Sequence, residues 1–529
     1  MTTIEATVHA GTQADSEGTL RLSLEQHFSF TNFRSGQLQV IQAVLAGRDA
    51  LVIMPTGGGK SLCYQLPSLM LNGVTLVVSP LIALMQDQVD FLQAKGIAAT
   101  CINSSLDPSE AAERERGVIR GDFQLVYLAP ERLMSAAGER LLNKIDLSLL
   151  AIDEAHCISE WGHDFRPEYR QLGAVRECFA EKLRGVPILA LTATATPRVA
   201  GDITQQLGMS DPLAYCSSFE RDNLQYYVRP KQQFFDQILA YVRQHPADAG
   251  IIYCQSRNQV DKLAERLSVR GVNALPYHAG MDSETRSENQ RAFMSGEARV
   301  IVATIAFGMG IDKADVRFVM HADLPRHIEG YYQETGRAGR DGEPADCILF
   351  YGAADRFKIE YFIEQKPDQA ERDHAYQQLA DMIRFVHATD CRTTQLLAHF
   401  GEDHDGGCGH CDNCLDPPMR FDATEDSRKL LSTVVRTQQR YGISYIVDVL
   451  RGSRAQRIKM NGHDALTVHG IGRSQSKAHW VSLAESLLKE GYLSMTVDEY
   501  RTLFLTEKSK KLLRGDVRVK AAVSRGLRV

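Results

Sequence analysis

A glycine-rich segment near the start of the chain has the residue types that bind phosphate. Residues 54–61 are MPTGGGKS, and they lie between a predicted strand and a predicted helix. Glycines let backbone N–H groups approach an anion closely, and the N-terminus of the following helix favours negative charge. Lys60 is expected to reach the outer phosphates of a nucleotide and Ser61 to ligate Mg²⁺, although Met54 replaces the first glycine of the strict motif. The predicted nucleotide-binding residues here are Thr56, Gly57, Gly58, Gly59, Lys60 and Ser61.

Two adjacent carboxylates, Asp153 and Glu154, follow the apolar run LLAI. One acidic residue in such a place can hold Mg²⁺ through water, and its neighbour can orient an attacking water molecule. An acidic pair alone is usually a solvated strand end. In combination with the glycine-rich segment, it predicts hydrolysis of a nucleoside triphosphate, with Ser61 and Asp153 at the Mg²⁺ ion.

A pair of arginines occurs in the segment YYQETGRAGRDG at 331–342. Two arginines three residues apart would share one face of a helix, which suits a pair directed at a γ-phosphate across a cleft between two lobes. Such an arginine finger contributes roughly 10³–10⁵ in rate. An isolated arginine pair is more often a set of surface ion pairs. We predict Arg340 as the better finger candidate than Arg337, and we include Gln333 in the catalytic set.

Four cysteines are spaced C-x₁₆-C-x₂-C-x₂-C, a pattern that suits tetrahedral Zn²⁺. The glycines at 406, 407 and 409 allow the tight turns that such a site needs. An iron–sulfur cluster is the alternative, because C-x₂-C-x₂-C also occurs in ferredoxins, but the C-x₃-C-P continuation is absent here. The other seven cysteines are expected to be small buried hydrophobes. The predicted zinc ligands are Cys391, Cys408, Cys411 and Cys414.

Short β-branched runs between helical patterns provide the elements that would position these residues. Continuous apolar strands that alternate with helices are typical of parallel sheets covered on both faces. Two sets of such runs predict two α/β lobes with a boundary near residue 218, and the alternation stops after about residue 352. The first set is ALVIMPT, TLVVSP, LVYLAP, LLAIDE and ILALTAT, and the second is GIIYC, NALPYHA, VIVAT and FVMHAD.

Composition and charge narrow the class of protein. The net charge of the 529 residues is −6, but residues 415–529 hold 21 Lys and Arg against 12 Asp and Glu. This basic C-terminal region is a possible phosphate-binding surface, although a chance asymmetry is the alternative. No apolar run approaches the roughly 20 residues of a membrane span, and the N-terminus lacks a signal-peptide pattern. The scattered cysteines suggest reduced thiols in the cytoplasm.

At this point the sequence resembles the RecQ family of superfamily 2 DNA helicases, most of all its bacterial members. The resemblance covers about residues 22–515. It rests on FSFTNFRSGQ (28–37), MPTGGGKS, VVSPLIALMQDQV (77–89), DEAHCISEWGHDFRPEY (153–169), LTATAT (191–196), SSFERDNL (217–224), ATIAFGMGID (303–312), YYQETGRAGRDG and the four cysteines.

The resemblance implies two RecA-like parallel-sheet lobes with ATP between them, then a helical zinc-binding domain and a winged-helix domain. It implies ATP-driven 3′→5′ unwinding of DNA in recombination and repair, with Mg²⁺ and Zn²⁺ as cofactors. The implied borders are a disordered lead over 1–20, lobe 1 over 21–218, lobe 2 over 219–351, the zinc-binding domain over 352–417, the winged helix over 418–515 and a basic tail over 516–529.

The resemblance also implies further nucleotide contacts. Gln37 and Arg34 match the motif that recognises the nucleobase, and Phe30 stands where the family often has a tyrosine, so its ring keeps a face for stacking on adenine. Ser35 replaces a usual proline, which loosens the turn but removes no contact. Asp312 matches a position near the ribose, and Thr192 and Thr194 match the motif that couples the lobes.

The segment SEWGHDFRPEY at 159–169 resembles the family's aromatic-rich loop, which senses DNA. Aromatic rings can stack on single-strand bases while arginine binds phosphate. The predicted DNA-contacting residues are Trp161, Phe165, Arg166 and Tyr169, with burial of Trp161 and Phe165 in a core as the alternative. The expected hairpin YLSMTVDEYRTLFLT would place Tyr500 near its tip, where it could stack on an opening base pair or simply lie on the surface.

Several expectations and alternatives accompany this hypothesis. Expected partners are single-stranded and duplex DNA and a single-stranded-DNA-binding protein, for a monomer in the bacterial cytoplasm at the nucleoid. The accessory domain shared with RNase D, which many bacterial members carry, is not expected in this sequence, either because the protein is naturally short or because it is truncated. An RNA helicase, a translocase without strand separation, and a DNA-binding regulator with a vestigial ATPase are the competing functions.

Overall fold

The computed structural model describes residues 9–103, 106–162, 164–308, 313–418, 420–496 and 502–522. Two compact units divide the chain. The first unit consists of Met1–Tyr227, Gln233–Met382 and Thr393–Asp405. The second consists of Val228–Gln232, Ile383–Arg392 and Gly406–Val529. Within the described residues, no helix is both long enough and apolar enough to cross a membrane.

The N-terminal lobe of the first unit is built on a seven-stranded sheet in the order β3-β4-β2-β5-β6-β1-β7. All six neighbouring strand pairs are parallel, as the continuous apolar runs predict. The sequence did not reveal β3, which is short, or β7, whose alternating exposure is that of an edge strand. The strands are β1 Ala50–Ile53, β2 Val74–Val78, β3 Ala99–Ile102, β4 Leu125–Leu128, β5 Leu147–Ile152, β6 Ile188–Thr192 and β7 Leu213–Cys216.

The second lobe of this unit has a six-stranded sheet in the order β10-β11-β9-β12-β13-β8. Strands β9 to β12 coincide with the four predicted runs, whereas β8 and β13 were not predicted. β8 alternates buried and half-buried residues, so it lacks the continuous apolar signal. The strands are β8 Leu224–Pro230, β9 Ala249–Tyr253, β10 Ala274–Tyr277, β11 Val300–Ala303, β12 Val316–His321 and β13 Ala345–Tyr351.

Helices cover both sheets, and the first of them differs from the sequence expectation. Helix α1 begins at His9, inside the segment 1–20 for which a disordered lead was expected. Leu20, Leu24 and Phe28 recur every four residues and are buried in the core of the first lobe, which explains the helix. The early helices are α1 His9–Phe28, α2 Gln37–Leu45, α3 Leu62–Ser68, α4 Ile82–Ala94, α5 Pro108–Arg120, α6 Pro130–Leu133, α7 Ala136–Leu142, α8 Pro167–Arg170, α9 Val175–Cys178 and α10 Pro197–Gln206.

The helices of the second lobe and of the segment after it continue this pattern. They bury one apolar face on the sheet, as Ile238 and Val242 of α11 and Leu263 and Leu267 of α12 do. These helices are α11 Phe234–Gln244, α12 Arg257–Val269, α13 Ser283–Ser295, α14 Ile328–Thr335, α15 Ala353–Glu364, α16 Gln369–His387 and α17 Arg392–His399.

The second unit is mainly helical, with two small antiparallel ribbons. Its core forms around Trp480, which is fully buried and donates its indole N–H to the Gly472 carbonyl at 2.8 Å. Its elements are α18 Asp412–Leu415, α19 Thr424–Arg436, α20 Ile443–Leu450, α21 Gln456–Met460, α22 Lys477–Lys489 and α23 Glu507–Arg514, with β14 Arg420–Asp422 paired to β17 Lys520–Ala522 and β15 Leu493–Met495 paired to β16 Leu503–Leu505.

The strand order of the first sheet explains how distant motifs meet. β5, β6 and β1 are neighbours and run parallel, so their carboxyl ends lie side by side at one edge. The glycine-rich segment follows β1, the acid pair follows β5, and Thr192 ends β6. A hydrogen bond from Met54 N–H to the Thr192 carbonyl, at 3.1 Å, joins two of these ends directly. Ligand sites of parallel sheets form at this edge.

Candidate active site and metal centre

The glycine-rich segment forms a loop that only glycine accommodates. Gly57 and Gly59 have φ values of +82° and +83°, in the left-handed region. Gly58 has no such φ, but a Cβ there would lie 2.9 Å from the Pro55 carbonyl oxygen. The loop therefore exposes backbone N–H groups at the carboxyl end of β1, the arrangement that binds phosphate.

Lys60 lies inside this loop. Its Nζ donates to the carbonyl oxygens of Met54 at 3.0 Å and Pro55 at 3.4 Å. Burial lowers the pKa of Lys60, while the carboxylates of Glu154 and Asp153 oppose that shift. The ammonium is therefore held by carbonyl oxygens and stabilised by the charge of the acid pair, in the loop that would bind an anionic ligand.

The acid pair is buried at the end of β5. Burial, and then the adjacent Glu154 carboxylate, raise the pKa of Asp153 to about 7. Burial also raises the pKa of Glu154, against the opposing charges of Lys60 and Arg337. Glu154 has a φ of +49°, which for a residue with a side chain costs about 1–3 kcal/mol and is typical of functional sites. A divalent cation would fit here, because it would relieve the repulsion between the two carboxylates.

A chain of short polar contacts leads from Glu154 to the second lobe. His156 Nδ1 lies 3.3 Å from Glu154 Oε2 and 2.9 Å from Thr192 Oγ1. Thr194 N–H donates to Thr192 Oγ1 at 3.2 Å, and Gln333 Nε2 donates to Thr194 Oγ1 at 3.1 Å. Burial lowers the pKa of His156 to about 4, so this link is a neutral imidazole. Because Gln333 belongs to α14, hydrogen bonds connect His156, which lies beside Glu154, with the second lobe.

The two arginines reach the site from a turn and not from a helical face, which corrects the sequence expectation. Helix α14 ends at Thr335, and Gly339 takes a φ of +55° in the turns that follow. A Cβ on Gly57 would lie 3.8 Å from Arg340 Cγ, so Arg340 packs on the phosphate loop. Arg337 is buried, and its charge opposes the rise that burial causes in the pKa of Glu154. Both predicted arginines are thus near the acid pair and the loop.

Sequence reasoning missed two residues that hold this arginine turn. Arg221 donates to the carbonyls of Ala338 at 3.2 Å and Gly339 at 2.9 Å. Asn223 Nδ2 donates to the carbonyls of Gly339 at 2.8 Å and Glu343 at 2.9 Å. Both lie in SSFERDNL, so the motif was visible, but its letters do not say which turn they support.

The predicted nucleobase residues are tied to the phosphate loop. Arg34 N–H donates to Gln37 Oε1 at 2.8 Å, and Gln37 Nε2 donates to the Gly59 carbonyl at 3.0 Å. The Arg34 guanidinium also donates to the Gly57 carbonyl. Phe30 is 51% exposed, so its ring can offer a face to a planar ligand. Asp312, the predicted ribose contact, lies outside the described residues.

The aromatic-rich loop is packed against the rest of the first unit. The Trp161 ring lies 3.2 Å from the Arg198 guanidinium carbon and 5.6 Å from the His374 ring, edge to face. Phe165 is half-buried. Arg166 donates to Asp164 Oδ2 through Nε at 3.2 Å and Nη2 at 3.0 Å. Trp161 and Arg166 therefore keep partial exposure but already have partners.

Tyr169 differs from its predicted base-stacking role. Its side chain is fully buried, and its hydroxyl donates to the Asp153 carbonyl at 3.1 Å. No base can reach the ring in this conformation. The tyrosine instead joins the end of the aromatic-rich loop to the acid pair. Tyr500, the other predicted DNA contact near a hairpin tip, lies outside the described residues.

The four cysteines of the second unit come together as a metal centre. The sulfur atoms of Cys391, Cys408, Cys411 and Cys414 all lie within 4.8 Å of one another, and the Cys408–Cys414 pair is 3.9 Å apart. Zn–S bonds of about 2.3 Å in a tetrahedron require sulfur separations of about 3.8 Å, so the quartet fits Zn²⁺. Gly406, Gly407 and Gly409 all have positive φ, as the expected turns require.

A buried cation next to this centre was not foreseen. Arg392 is fully buried, its backbone N–H donates to Cys411 Sγ at 3.4 Å, and its guanidinium donates to Asp412 Oδ1 at 2.5 Å and to the Phe385 carbonyl at 2.7 Å. The backbone N–H of Arg392 would stabilise the Cys411 thiolate of a zinc site, while its guanidinium is paired with Asp412. An arginine that follows a cysteine gives no such signal in sequence.

Comparisons with known proteins agree with this geometry. Family models match residues 34–203 (DEAD/DEAH box helicase), 230–342 (helicase conserved C-terminal domain), 353–415 (RecQ zinc-binding) and 417–527 (RQC domain). The solved structures of Mss116 bound to single-stranded RNA and of Mycobacterium smegmatis Lhr bound to single-stranded DNA share the fold, with TM-scores of 0.54 and 0.51 at 15% and 18% identity. The matches cover 71% of this chain and 84% of Mss116, and 93% of this chain and 61% of Lhr.

Curated relatives are much closer in sequence. The ATP-dependent DNA helicase RecQ of Pasteurella multocida is 46% identical over 94% of this chain and 78% of its own length. The RecQ proteins of Haemophilus influenzae and Bacillus subtilis are 44% and 41% identical, over 95% and 94% of this chain and 81% and 84% of theirs.

Fold and site together define a superfamily 2 helicase with two RecA-like lobes, a zinc-binding domain and an RQC domain. The chain belongs to the RecQ family and is an ATP-dependent DNA helicase. The family resemblance, the fold class, the helicase function and the cofactors ATP, Mg²⁺ and Zn²⁺ predicted from the sequence are confirmed. Because the protein is an ATP-dependent DNA helicase, the RNA-helicase and regulator alternatives are excluded. The match to the RecQ zinc-binding model excludes the iron–sulfur cluster.

A first prediction separates the phosphate loop from the acid pair. Lys60→Ala should lose ATP hydrolysis because the loop loses its cation, whereas Glu154→Gln should still bind ATP but hydrolyse it about 10²–10³ times more slowly. Phosphate release and nucleotide binding measure the two effects. Glu177→Gln, at an exposed glutamate of the same lobe, is the matched control and should behave as wild type. Near-normal turnover by either site variant would contradict the assignment.

A second prediction concerns the metal. The purified protein should contain one zinc, and Cys408→Ser should lose it and unfold the region around 391–414, because structural zinc contributes about 10–16 kcal/mol of apparent binding free energy in small peptides. Elemental analysis and thermal unfolding provide the measurements. Cys178→Ser, at an exposed cysteine outside the quartet, should keep the zinc. Iron in the wild-type protein, or no metal at all, would refute the prediction.

Proposed function

We propose that this helicase translocates 3′→5′ along single-stranded DNA and separates duplex strands in recombination and repair. Two links that leave the acid pair support this proposal. One runs from Glu154 through His156 to Gln333 of the second lobe. The other is the Tyr169 hydroxyl, which joins the aromatic-rich loop to Asp153. A motor needs both links, since hydrolysis must depend on DNA and must move one lobe against the other.

In the proposed reaction the loop and the acid pair divide the work on ATP. Backbone N–H groups of residues 56–60 and the Lys60 ammonium bind the phosphates, and Ser61 and Asp153 would hold Mg²⁺, which neutralises phosphate charge. Glu154 orients the attacking water. Arg340 and Arg337, brought from the second lobe, stabilise the charge that develops on the γ-phosphate. Phe30, Arg34 and Gln37 recognise the adenine, and Asp312 approaches the ribose.

The DNA contacts are proposed for the exposed part of the aromatic-rich loop. Trp161 and Phe165 would stack on bases and Arg166 would bind a phosphate. The buried Tyr169 would act as a relay and not as a contact, because its hydroxyl is already bound at Asp153. Tyr500 remains a proposed stacking residue at the hairpin tip, supported by the sequence alone.

The domain borders and the cellular setting complete the proposal. We infer lobes over 21–218 and 219–351, a zinc-binding domain over 352–417 and a winged helix over 418–515. The excess of basic residues after residue 415 suits duplex DNA. A monomer that works at the nucleoid in the bacterial cytoplasm, with a single-stranded-DNA-binding protein as partner, fits this function.

The proposed polarity can be tested on tailed duplexes. Strand displacement should require ATP and a 3′ single-stranded tail, and a duplex with a 5′ tail of equal length should be opened far more slowly. A fluorescent-strand release assay with both substrates, with and without ATP, measures the difference. Equal rates on both tails would refute 3′→5′ movement, and ATP hydrolysis without strand release would favour a translocase.

The proposed coupling by the aromatic-rich loop predicts a specific defect. Trp161→Ala should retain ATP binding and most DNA binding, since one stacked base contributes only about 1–3 kcal/mol, yet lose DNA-stimulated hydrolysis and unwinding together. The ATPase rate against single-stranded DNA concentration is the measurement, and Trp161→Phe, which keeps an aromatic face, is the control. Recovery of the wild-type maximum rate at saturating DNA would reduce the loop to a binding element.

A further inference from the structure

The segment 399–404 makes an unexpected set of contacts in the first unit. In sequence it lies between the zinc ligands Cys391 and Cys408, and we call it the clasp. Its residues alternate: Phe400 is buried and Glu402 and His404 are half-buried, whereas Gly401 and Asp403 are exposed. The clasp begins in the turn that ends α17, because Gly401 has a φ of +79° and the Glu402 N–H donates to the Leu397 carbonyl at 2.9 Å.

The surface under the clasp is the hinge, residues 217–223, which connects β7 of the first lobe to β8 of the second. The two carboxylate oxygens of Glu402 accept hydrogen bonds from the Ser218 hydroxyl at 2.5 Å and the Phe219 N–H at 2.7 Å. The Phe400 ring stacks on the Phe219 ring at 4.3 Å with 9° between the planes. Charge-assisted bonds of this kind are stronger than neutral ones.

The clasp also touches both lobes. His399 Nε2 lies 2.8 Å from Glu329 Oε1 of α14, and the Phe400 ring meets the Tyr332 ring of the same helix edge to face at 5.1 Å. Tyr332 returns to the hinge by donating its hydroxyl to the Phe219 carbonyl at 2.7 Å. On the side of the first lobe, a Cβ on Gly401 would lie 2.9 Å from Pro197 Cγ, the first residue of α10.

Helix α14 connects these contacts to the chemistry. Gln333, which donates to Thr194 of the first lobe, is the next residue after Tyr332, and Arg337 lies one turn further along the chain. Any rotation of α14 about the hinge therefore moves Gln333 and Arg337 relative to the acid pair. A misplacement of about 1 Å can cost about 10²-fold in rate even when its cause is remote.

We propose that Glu402 and Phe400 are positioning residues for ATP hydrolysis, which fix the pivot between the lobes so that α14 and the turn after it present Gln333 and Arg337 correctly. The inference rests on the function proposed above. None of the clasp residues touches the phosphate loop in the contacts described, so their role is orientation and not substrate binding. A segment that lies in sequence between two zinc ligands thereby affects the rate of ATP hydrolysis.

Glu402→Gln tests the carboxylate. Asp403→Asn is a matched control, because Asp403 is the next residue, its side chain is exposed, and the change removes the same charge. The glutamine can accept from the Phe219 N–H and donate to the Ser218 hydroxyl, so both contacts remain possible but lose the negative charge that strengthens them. We expect kcat to fall about tenfold with the KM for ATP changed less than twofold, both with saturating single-stranded DNA and without DNA. Asp403→Asn should keep the wild-type values.

Further variants keep the test independent of folding. Ser218→Ala removes one of the two bonds to Glu402, so it should lower kcat by a smaller factor, and the loss in the double variant Ser218→Ala with Glu402→Gln should be smaller than the product of the two single losses, because the two residues share one contact. Phe400→Leu should retain more activity than Phe400→Ala. Zinc content and Tm should stay as in Asp403→Asn, and a parallel loss of either would assign Glu402 a structural role and overturn the proposal.

The outcomes for the clasp and for the proposed function are distinct. If Glu402→Gln and Asp403→Asn have the same kcat in the absence of DNA, the positioning role is refuted, whatever the protein does with DNA. If the wild-type protein hydrolyses ATP but does not displace strands, the proposed function fails, while the basal rates still decide the clasp. A kcat loss confined to Glu402→Gln, with KM, zinc and Tm preserved, supports the inference.

Discussion

The burial of two adjacent carboxylates at the end of β5 is the constraint on which the motor depends. Burial, and then the Glu154 carboxylate, raise the pKa of Asp153, and burial raises the pKa of Glu154, so nearby cations favour the ionised pair. Lys60 supplies one cation from the same lobe, and Arg337 supplies another from the second lobe. Electrostatics at the acid pair therefore favours the arrangement in which the lobes approach each other. Bound Mg²⁺ would add to the same balance.

The sequence predicted the parts of the site that local chemistry determines. The glycines of GGGKS indicated a loop, and Gly57 and Gly59 do take left-handed φ values. The spacing of the four cysteines indicated one metal ion, and their sulfur atoms do converge. Strands β1, β2, β4, β5 and β6 were visible as continuous apolar runs. β7 and β8 were not, since an edge strand and an alternating strand leave weaker signals.

What the sequence did not reveal depends on contacts between distant segments. Tyr169 is aromatic in an aromatic-rich loop, and its letter does not say whether the ring faces DNA or fills a core. The two arginines share a helical spacing, but α14 ends at Thr335, before both of them. The roles of Arg221 at the arginine turn and of Glu402 at the hinge appear only when residues more than 100 positions apart meet.

The proposed DNA signal depends on two contacts at Trp161 that have similar, modest free energies. The Trp161 ring already carries the Arg198 guanidinium, a cation–π contact of about 0.5–2 kcal/mol. A base that stacks on the same ring contributes about 1–3 kcal/mol, so exchange of arginine for base is nearly neutral. Because the net cost is small, DNA would move the loop, in the proposed signal, without breaking a core. The Tyr169 hydroxyl would carry that movement to the backbone of Asp153, to which it is hydrogen-bonded. Trp161 can therefore add little to the free energy of DNA binding and still affect the rate of ATP hydrolysis, because that rate depends on the geometry of the acid pair.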